Sequence, residues 1–274
     1  HPSYAFSSVK HRVGADNYWL NQMSFTDADG NTLDFKGKQL YIDNYRYAER
    51  MRHVNVDKTT YRLLQGFRGE VDDWDWEAAL LYSKAKSDDI TSNRVSNTLL
   101  KDALNDSTSA AYNPFSAGVD SNIERILVDV YRKGSSSLAM MDFKVSNGNF
   151  MDLSAGPMGL MFGIEVRREE IVDDRDPRLD GTIQYVDYEN DVYPEIGDVV
   201  NSSPTGDVSG ERNTLSLFTE AQIPLAEKVN AQVALRYENM SDVEDSLVSK
   251  LAIGWEVSDS VLFRVSASTS FRAP

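Results

Sequence analysis

Catalysis by a nucleophile needs a serine, threonine or cysteine next to a base that a third group orients. The chain has 274 residues, no cysteine and only three histidines, which are His1, His11 and His53. Its serines are numerous, but none lies in a Gly-x-Ser-x-Gly turn, the strained elbow that exposes a catalytic serine. We therefore expect no enzymatic activity. The scattered histidines also predict neither a metal site nor a bound cofactor.

Paired acidic residues are a second candidate for chemistry, and they occur at Asp72-Asp73, Asp88-Asp89 and Asp173-Asp174. Two carboxylates share a proton when burial holds them together, whereas these pairs fall in predicted turns and loops. The stretch Asp27-Ala28-Asp29-Gly30-Asn31 is similar to the start of a calcium loop, but the further ligands are missing. We interpret all of these as solvated acidic groups, since Asp, Asn and Gly favour tight turns.

The segment 172–209 is the strongest candidate for ligand contact. It holds ten acidic residues and two arginines, a net charge of −8, together with Tyr185, Tyr188 and Tyr193. Tyrosine combines a flat apolar ring with a hydroxyl, so these three side chains are candidates to stack on a sugar or an aromatic ligand. The charge would attract a cationic ligand or bridge divalent ions to lipopolysaccharide, or it would simply keep the segment solvated.

Overall composition limits the class of partner. The net charge is −15, from 43 acidic and 28 basic residues, and 41% of the residues are hydrophobic. A surface that binds nucleic acid needs clustered Lys and Arg, so we exclude nucleic acid as a partner. The sequence contains no run of about 18 apolar residues, which argues against a transmembrane helix but not against a membrane barrel, whose strands alternate.

The elements that would position these residues are strands. Between residues 228 and 240 apolar side chains occupy alternate positions from Val229 to Tyr237, while most of the positions between them are polar. This period of two predicts a strand with one apolar face. The same rule, with a weaker match in the first segment, predicts about nine antiparallel strands, at residues 43–50, 59–70, 74–85, 138–153, 159–170, 213–223, 228–240, 246–256 and 260–271.

The connections between these strands alternate in length. Short turns are predicted near Asp72-Asp73, at residues 155–158, at residues 224–227 and at Ser258-Asp259. Long loops are predicted at residues 86–137 and 172–209. Within the first of them, the helical spacing of apolar residues from Ile123 to Tyr131 predicts a short amphipathic helix. Short turns at one end and long loops at the other are typical of an outer-membrane barrel with short periplasmic turns and long extracellular loops.

Several segments resemble the TonB-dependent outer-membrane receptor family. The matching stretches are Phe218–Leu225, Val233–Glu238, Gly156–Leu160, Gly163–Glu169, Tyr112–Phe115 and the terminal motif Phe271, Arg272, Ala273 and Pro274. Their order and spacing cover residues 60–274. Residues 1–42 match poorly, so we expect an extracellular loop region at 1–42 and part of a receptor barrel at 43–274.

The resemblance implies an all-β transmembrane barrel of 22 strands, an N-terminal plug domain within it and a segment that contacts TonB. The sequence contains neither plug nor TonB box, so we expect this chain to be a segment of the barrel. The implied function is import of a scarce nutrient, such as a siderophore-bound metal, cobalamin or an oligosaccharide, across the outer membrane of a Gram-negative bacterium. The implied partners are the TonB-ExbB-ExbD system, outer-membrane lipid, lipopolysaccharide and the small nutrient ligand.

Strand phase also divides the charged residues between two faces. Those opposite the apolar positions are predicted to face the barrel lumen, where they would hold water or form salt bridges with a plug. They are Arg62, Arg68, Glu70, Glu165, Arg167, Glu169, Arg236, Glu238 and Arg264.

Two alternatives remain open. A passive porin or a barrel-type outer-membrane hydrolase would use the same wall without energy coupling. A soluble β-sandwich would need the polar faces to be its solvent faces.

Overall fold

The computed structural model describes residues 5–7 and 10–272 of the chain. The first part contains six short strands, which pair as three small antiparallel ribbons, β1 with β6, β2 with β5 and β3 with β4. Their bounds are β1 Ala5–Ser7, β2 His11–Val13, β3 Ser24–Thr26, β4 Thr32–Asp34, β5 Leu40–Ile42 and β6 Tyr45–Tyr47.

The rest of the chain is dominated by long strands. The elements are β7 His53–Val71, β8 Trp74–Val95, α1 Asn97–Leu104, β9 Leu127–Leu153, β10 Gly156–Arg175, the one-turn helix α2 Pro177–Asp180, β11 Gln184–Val186, β12 Val192–Gly197, β13 Val208–Ala226, β14 Val229–Met240, β15 Ser246–Ser258 and β16 Val261–Ser268. Eight of them form one sheet in the order β16-β15-β14-β13-β10-β9-β8-β7, and β11 pairs with β12. Among the described residues, no helix has the length and hydropathy needed to span a membrane.

The described chain forms two compact units. The loop unit comprises residues within 1–58, 87–134 and 172–208, and the sheet unit comprises residues within 59–86, 135–171 and 209–274. Strands β7, β8, β9, β10 and β13 contribute residues to both units. The extracellular position predicted for residues 1–42 and for the two long loops stays a prediction.

The large sheet has one apolar and one polar face. Strand pairing places Leu217 opposite Tyr237 and Val233 opposite Leu251, so these side chains share the face that we call the apolar face. Their neighbours point the other way, and Phe218 lies opposite Arg236 on the polar face. The apolar face is not covered by a second layer, since Leu251 is 50% exposed and Val265 is 68% exposed. The predicted all-β class with antiparallel strands is confirmed.

The number of strands in the sheet differs from the prediction. Eight strands pair in it, not about nine, because the segment predicted at 43–50 forms only the three-residue strand β6, which pairs with β1. The physical reason is that Tyr47 is 2% exposed and belongs to the core of the loop unit. Its ring packs at 4.9 Å from that of Tyr45.

The short turns lie where the alternation predicted them. Strands are joined by two residues at 72–73, 154–155, 227–228 and 259–260. Asp72 adopts a left-handed backbone with φ of 53°, a conformation that Asp and Asn tolerate and that suits tight hairpins.

The long loops are shorter than predicted. Strand β8 continues to Val95 and β9 begins at Leu127, so the connection predicted at 86–137 is strand at both ends. Strand β10 likewise continues to Arg175 and β13 begins at Val208. In these strands the alternation of apolar residues ends before the strand itself ends, because backbone pairing continues through residues whose side chains are polar on both faces. The sequence pattern therefore placed the strand ends too early.

The helix predicted between Ile123 and Tyr131 is wrong. Residues 123–125 form a single 3₁₀ turn, and the chain continues as β9. The i, i+3 spacing arises because Ile123 and Ile126 both enter the core of the loop unit. The helix of this connection is α1, which begins where the Ser96 hydroxyl accepts a hydrogen bond from Leu99 N at 3.1 Å.

A buried carboxylate joins distant segments of the loop unit. Asp198 is fully buried, and its Oδ2 accepts a hydrogen bond from Ser96 Oγ at 2.8 Å. Its Oδ1 accepts one from Thr98 N at 3.0 Å, and Arg178 forms an ion pair with it. The hydrogen bonds from Ser96 and Thr98 hold residues 96–98 against Asp198, and the ion pair holds Arg178 at the same carboxylate. The hydrophobic core of the loop unit comprises Val13, Leu20, Tyr47, Val95, Leu100, Ala103, Leu104, Tyr112, Ile123, Ile126 and Val200.

We expect Asp198→Ala to open the loop unit. Removing the carboxylate leaves the Ser96 hydroxyl proton and the Thr98 N–H without their acceptor, and the partly exposed Arg178 loses its ion pair. Unsatisfied buried donors of this kind cost about 1–3 kcal/mol. Hydrogen exchange of the α1 amides should then become much faster.

The matched control is Asp102→Ala, because the Asp102 side chain is 62% exposed and only 4.0 Å from Lys101. Equal exchange rates of the α1 amides in the two variants would contradict the structural role of Asp198.

A second expectation concerns Gly163 on the polar face. A Cβ added at Gly163 would overlap the Phe218 ring, whereas one added at Gly254 meets no atom within 4 Å. Overpacking of this kind costs about 1–3 kcal/mol. Gly163→Ala should lower the melting temperature in detergent, and Gly254→Ala should not.

Combining Gly163→Ala with Phe218→Leu should restore part of the loss, because the smaller side chain vacates the space. If Gly163→Ala and Gly254→Ala melted alike, the packing of Phe218 over Gly163 would be refuted.

Candidate functional site

The polar face of the sheet carries a network of charged side chains around Arg236. Its Nη2 lies 3.2 Å from Glu165 Oε1, and its Nε donates to Glu238 Oε1 at 2.8 Å. Nη2 also donates to Ser216 Oγ at 2.9 Å, and this hydroxyl donates to Glu238 Oε1 at 3.2 Å. The four side chains come from β10, β13 and β14, so the network links three neighbouring strands.

Strand geometry explains why these residues meet. Arg236 and Glu238 are two residues apart in β14, and side chains at that spacing share a face. Pairing of β13 with β14 places Ser216 opposite Glu238 and Phe218 opposite Arg236. The guanidinium lies 5.5 Å from the centre of the Phe218 ring, within the range of a cation–π contact.

The network is semi-buried although the sheet is a single layer. The Ser216 residue is fully buried, and the side chains of Glu165 and Glu238 are 17% and 20% exposed. Near them, Thr214 and Ser246 are buried and their hydroxyls have no hydrogen-bond partner among the described residues. This part of the polar face therefore retains capacity to bind further polar groups or water.

A hollow of about 460 Å³ lies on the sheet unit near the ends of the strands remote from the short turns. Small side chains at Ser83, Ala85 and Ser136 leave the space. Glu169 lines it, and so does Arg212, which donates to Asp242 Oδ1 at 2.7 Å and again through Nη2 to Oδ2 at 2.7 Å. Volumes of this size are typical of ligand pockets.

A second hollow of about 440 Å³ lies on β14–β16 and is lined by Gln232, Lys250, Glu256 and Arg264 among others. Its lining is mostly polar, as the alternation of β14, β15 and β16 requires.

The structure brings together some of the charged residues predicted to face the lumen. Glu165, Arg236 and Glu238 form the network described above, and Arg167 Nε lies 3.3 Å from Glu169 Oε2. The others lie on the polar face by strand phase without joining this network: Arg62, Arg68, Glu70 and Arg264. The lumen-facing role of the whole set stays a prediction.

The three tyrosines predicted to contact a ligand occupy different environments in the loop unit. Tyr185 is 4% exposed, and its ring packs against Tyr193 at 5.9 Å and against His11 at 6.4 Å. Burial raises the pKa of Tyr185 to about 12 and lowers the pKa of His11 to about 4. Both side chains are therefore uncharged at neutral pH.

Tyr188 lies in a second aromatic group that the sequence did not predict. Its hydroxyl is 2.9 Å from that of Tyr41, and the Arg12 guanidinium lies 4.4 Å from the centre of its ring. The hydrogen bond with Tyr41 raises the pKa of Tyr188 to about 12. Tyr41 is 50% exposed, so this group presents an aromatic ring, two hydroxyls and a cation near the surface of the loop unit.

Arg12 and Tyr41 were missed because they lie on the three-residue strands β2 and β5, far from 188 in sequence and without a periodic pattern. Strand pairing places Arg12 opposite Tyr41. Neither an arginine nor a tyrosine indicates in the sequence that these two strands pair, so the proximity of Arg12 and Tyr41 could not be predicted.

Three carboxylates, of Asp187, Glu189 and Asp191, lie within 4.8 Å of one another. Asp187 Oδ1 accepts hydrogen bonds from the backbone of Glu189 at 2.8 Å and of Asp191 at 3.0 Å. Tyr193 donates to Asp187 Oδ2 at 3.2 Å. The turn itself therefore accounts for the arrangement of these acids.

The remaining residues singled out in the sequence lie apart from these groups. His53 begins β7, and Phe271 and Arg272 are exposed beyond the end of β16. His1, Ala273 and Pro274 lie outside the described residues.

Comparison with known proteins gives one family. The model described as TonB dependent receptor-like, beta-barrel, matches residues 5–274. No curated protein matches the chain.

The Arg236 network should be energetically coupled. Arg236→Met leaves two partly buried carboxylates without their partner, which we expect to cost about 1–3 kcal/mol of unfolding free energy. The double variant with Glu165→Gln should be less destabilised than the sum of the single variants, by about 0.5–3 kcal/mol. Unfolding in detergent, followed by circular dichroism, measures both quantities.

Arg264→Met is the control, because Arg264 forms no ion pair with any described residue and a change at such a site costs roughly 0.5 kcal/mol or less. Additive effects of Arg236→Met and Glu165→Gln would show that the two side chains do not interact.

Proposed function

The chain belongs to the TonB-dependent receptor-like β-barrel family, and we propose that its protein imports a scarce nutrient across the outer membrane with energy from the inner membrane. The family is a receptor family of the outer membrane. Candidate ligands are a siderophore-bound metal, cobalamin or an oligosaccharide. The cell would be a Gram-negative bacterium.

The observation that carries this proposal is the division of the large sheet into two faces. Exposed apolar side chains such as Leu251 on one face suit contact with lipid tails, while the Arg236 network on the other suits contact with water or with polar groups. A wall of this kind separates a hydrocarbon phase from a polar interior. It is the arrangement that a polar solute would need to cross an outer membrane.

We further propose that ligand capture begins at the aromatic groups of the loop unit. Tyr188 and Tyr193 keep the contact role expected of them, and Tyr41 and Arg12 join them, since all four are at least partly exposed. The buried Tyr185 would support Tyr193 from behind. The hollow beside Glu169 on the sheet unit is a separate candidate for ligand contact.

The proposed partners follow from the family. The TonB-ExbB-ExbD system would supply energy through a plug domain, and the charged polar face would form salt bridges with that plug. Lipopolysaccharide and outer-membrane lipid would surround the apolar face.

The alternatives differ in their energy requirement. A passive porin would conduct solutes in a planar bilayer without TonB, and an outer-membrane hydrolase would release a product from lipid. No specific observation on the described residues favours either over the receptor.

Uptake in living cells tests the proposal. A strain lacking the gene should lose growth on one limiting nutrient, and the full-length gene should restore it. Restoration should fail in a strain without TonB and should stop when an uncoupler dissipates the proton-motive force. Uptake that continues under both conditions would refute energy coupling and favour a porin.

The capture site makes a separate prediction. Replacing Tyr41 and Tyr188 together by alanine should weaken nutrient binding to the purified receptor by about tenfold or more, since each aromatic contact is worth roughly 0.5–1.5 kcal/mol. Tyr18→Ala is the control, because Tyr18 packs edge-on against Trp19 at 5.0 Å within the same unit.

Unchanged affinity in the Tyr41 and Tyr188 variant would exclude this aromatic group as the capture site. That result would leave the proposal of energy-coupled uptake unaffected, because the TonB and uncoupler experiments test it separately.

A further inference from the structure

Two arginines of the loop unit lie close together without a carboxylate partner. Arg52 immediately precedes β7, and Arg94 is the last residue but one of the neighbouring strand β8. Asn93 Nδ2 donates a hydrogen bond to Met51 O at 2.9 Å, which holds the chain at Arg52 against the chain at Arg94. Within the described part of the chain, neither guanidinium forms an ion pair with an acidic residue.

A shortage of acidic residues does not explain this arrangement. Acidic residues outnumber basic ones by 43 to 28 in the chain. Other arginines of the loop unit do form ion pairs: Arg50 with Glu124, Arg125 with Asp106, Arg132 and Arg175 with Asp173, and Arg178 with Asp198.

The carboxylate on the strand beside Arg94 has another partner. Asp129 lies on β9, and its Oδ1 accepts a hydrogen bond from Asn93 N at 3.2 Å. It forms no ion pair with Arg52 or Arg94 among the described residues. The positive charge of the two arginines is therefore not neutralised by direct contact within the described chain.

The two guanidiniums also keep most of their hydrogen-bonding capacity. Each guanidinium carries several N–H donors in a planar fork. Arg94 donates through Nη2 to Val200 O at 3.1 Å, while Arg52 donates to no described residue although its Nε is buried. Both residues are partly exposed, so a small solute has access to them.

Arg94 remains charged in spite of this environment. Burial lowers the pKa of Arg94 to about 10, and the charge of Arg52 lowers it further in the same direction. Arg94 is thus still protonated at neutral pH. Two like charges that lie close together repel each other, and an anion bound between them removes that cost.

We infer that Arg52 and Arg94 form a binding site for the phosphate group of a small soluble solute. The guanidinium fork matches the oxygens of a phosphate, which accept two hydrogen bonds from one arginine. A phosphate monoester carries a charge of about −1.5 to −2 at pH 7, which suits two guanidiniums better than the single charge of a carboxylate does.

The position of Arg94 favours a soluble solute over a lipid. Its guanidinium contacts the carbonyl of Val200, a residue of the hydrophobic core of the loop unit, and not the apolar face of the sheet. The site shares no residue with the aromatic group of Tyr41 and Tyr188. It also does not depend on energy-coupled uptake, so failure of the uptake experiment would leave it unaffected.

Isothermal titration calorimetry on the purified full-length protein in detergent tests the inference. Inorganic phosphate and glycerol phosphate are the main probes, acetate tests a single negative charge, and lipid A tests a lipid as the source of the phosphate. The variants are Arg52→Gln and Arg94→Gln, each of which removes one guanidinium.

The control variant is Arg46→Gln. Arg46 is exposed on β6 in the same unit, so this change removes the same charge at another place. Melting temperatures in the absence of phosphate show whether each variant is folded. Arg52→Gln should melt at the same temperature as the unaltered protein or higher, because Arg52 donates no hydrogen bond to a described residue and repels Arg94.

We expect each single variant to bind inorganic phosphate about tenfold or more weakly, since a hydrogen bond to a charged group has this effect on affinity. Arg46→Gln should bind it as the unaltered protein does. Glycerol phosphate should bind like inorganic phosphate, acetate should bind more weakly, and added salt should weaken all binding at this site.

Four outcomes would overturn the inference. The first is no binding of inorganic phosphate to the unaltered protein, and the second is equal affinity in Arg52→Gln and in Arg46→Gln. The third is acetate binding as tight as that of phosphate, which would remove the argument from charge. The fourth is a loss of lipid A binding in Arg52→Gln, which would assign the arginines to a lipid headgroup.

Discussion

Backbone pairing in a single-layer sheet is the constraint on which the rest of this protein depends. Every strand of the sheet must send alternate side chains to opposite sides, and no second layer of the sheet unit covers its apolar face. One face therefore needs an apolar environment that the chain itself does not supply. A bilayer supplies it, because backbone groups that are paired within a sheet can enter hydrocarbon without the cost of unpaired donors.

The polar face and the loop unit are held by ion pairs and by hydrogen bonds to charged side chains, in addition to backbone pairing. Around Arg236, charges are paired across three strands, and around Asp198 a buried carboxylate holds residues that are about 100 positions apart in the sequence. These contacts are directional, so they define where side chains are placed. The hydrophobic core of the loop unit stabilises it by burial, which is not directional, while the carboxylate fixes which segments meet.

The sequence predicted the parts of the fold that depend on local periodicity. The strands from β7 to β16 that form the sheet, their short turns and the separation of Leu217 from Phe218 onto opposite faces all follow from a period of two. The helix predicted between Ile123 and Tyr131 was wrong because local periodicity was ambiguous there: the spacing of Ile123 and Ile126 fits a 3₁₀ turn as well as an α-helix. The Ser96 cap and the spacing of Leu100, Ala103 and Leu104 were readable signals for α1.

Contacts that depend on distant pairing were not predictable in this way. The Phe218 ring lies over Gly163 only because β10 and β13 are neighbours across a long connection. Tyr41 and Arg12 reach Tyr188 through strands of three residues, which are too short to produce a pattern.

Spin labels placed along β14 test most directly that the sheet separates lipid from a polar interior. Single cysteines at residues 229–240 of the full-length protein would carry the label in a bilayer, and collision with oxygen and with a water-soluble nickel chelate would be measured. We predict that oxygen contact peaks at the positions of Val233, Leu235 and Tyr237, and nickel contact at the residues between them. Nickel contact that peaks at Val233, Leu235 and Tyr237 as well would place water on both faces and contradict the account.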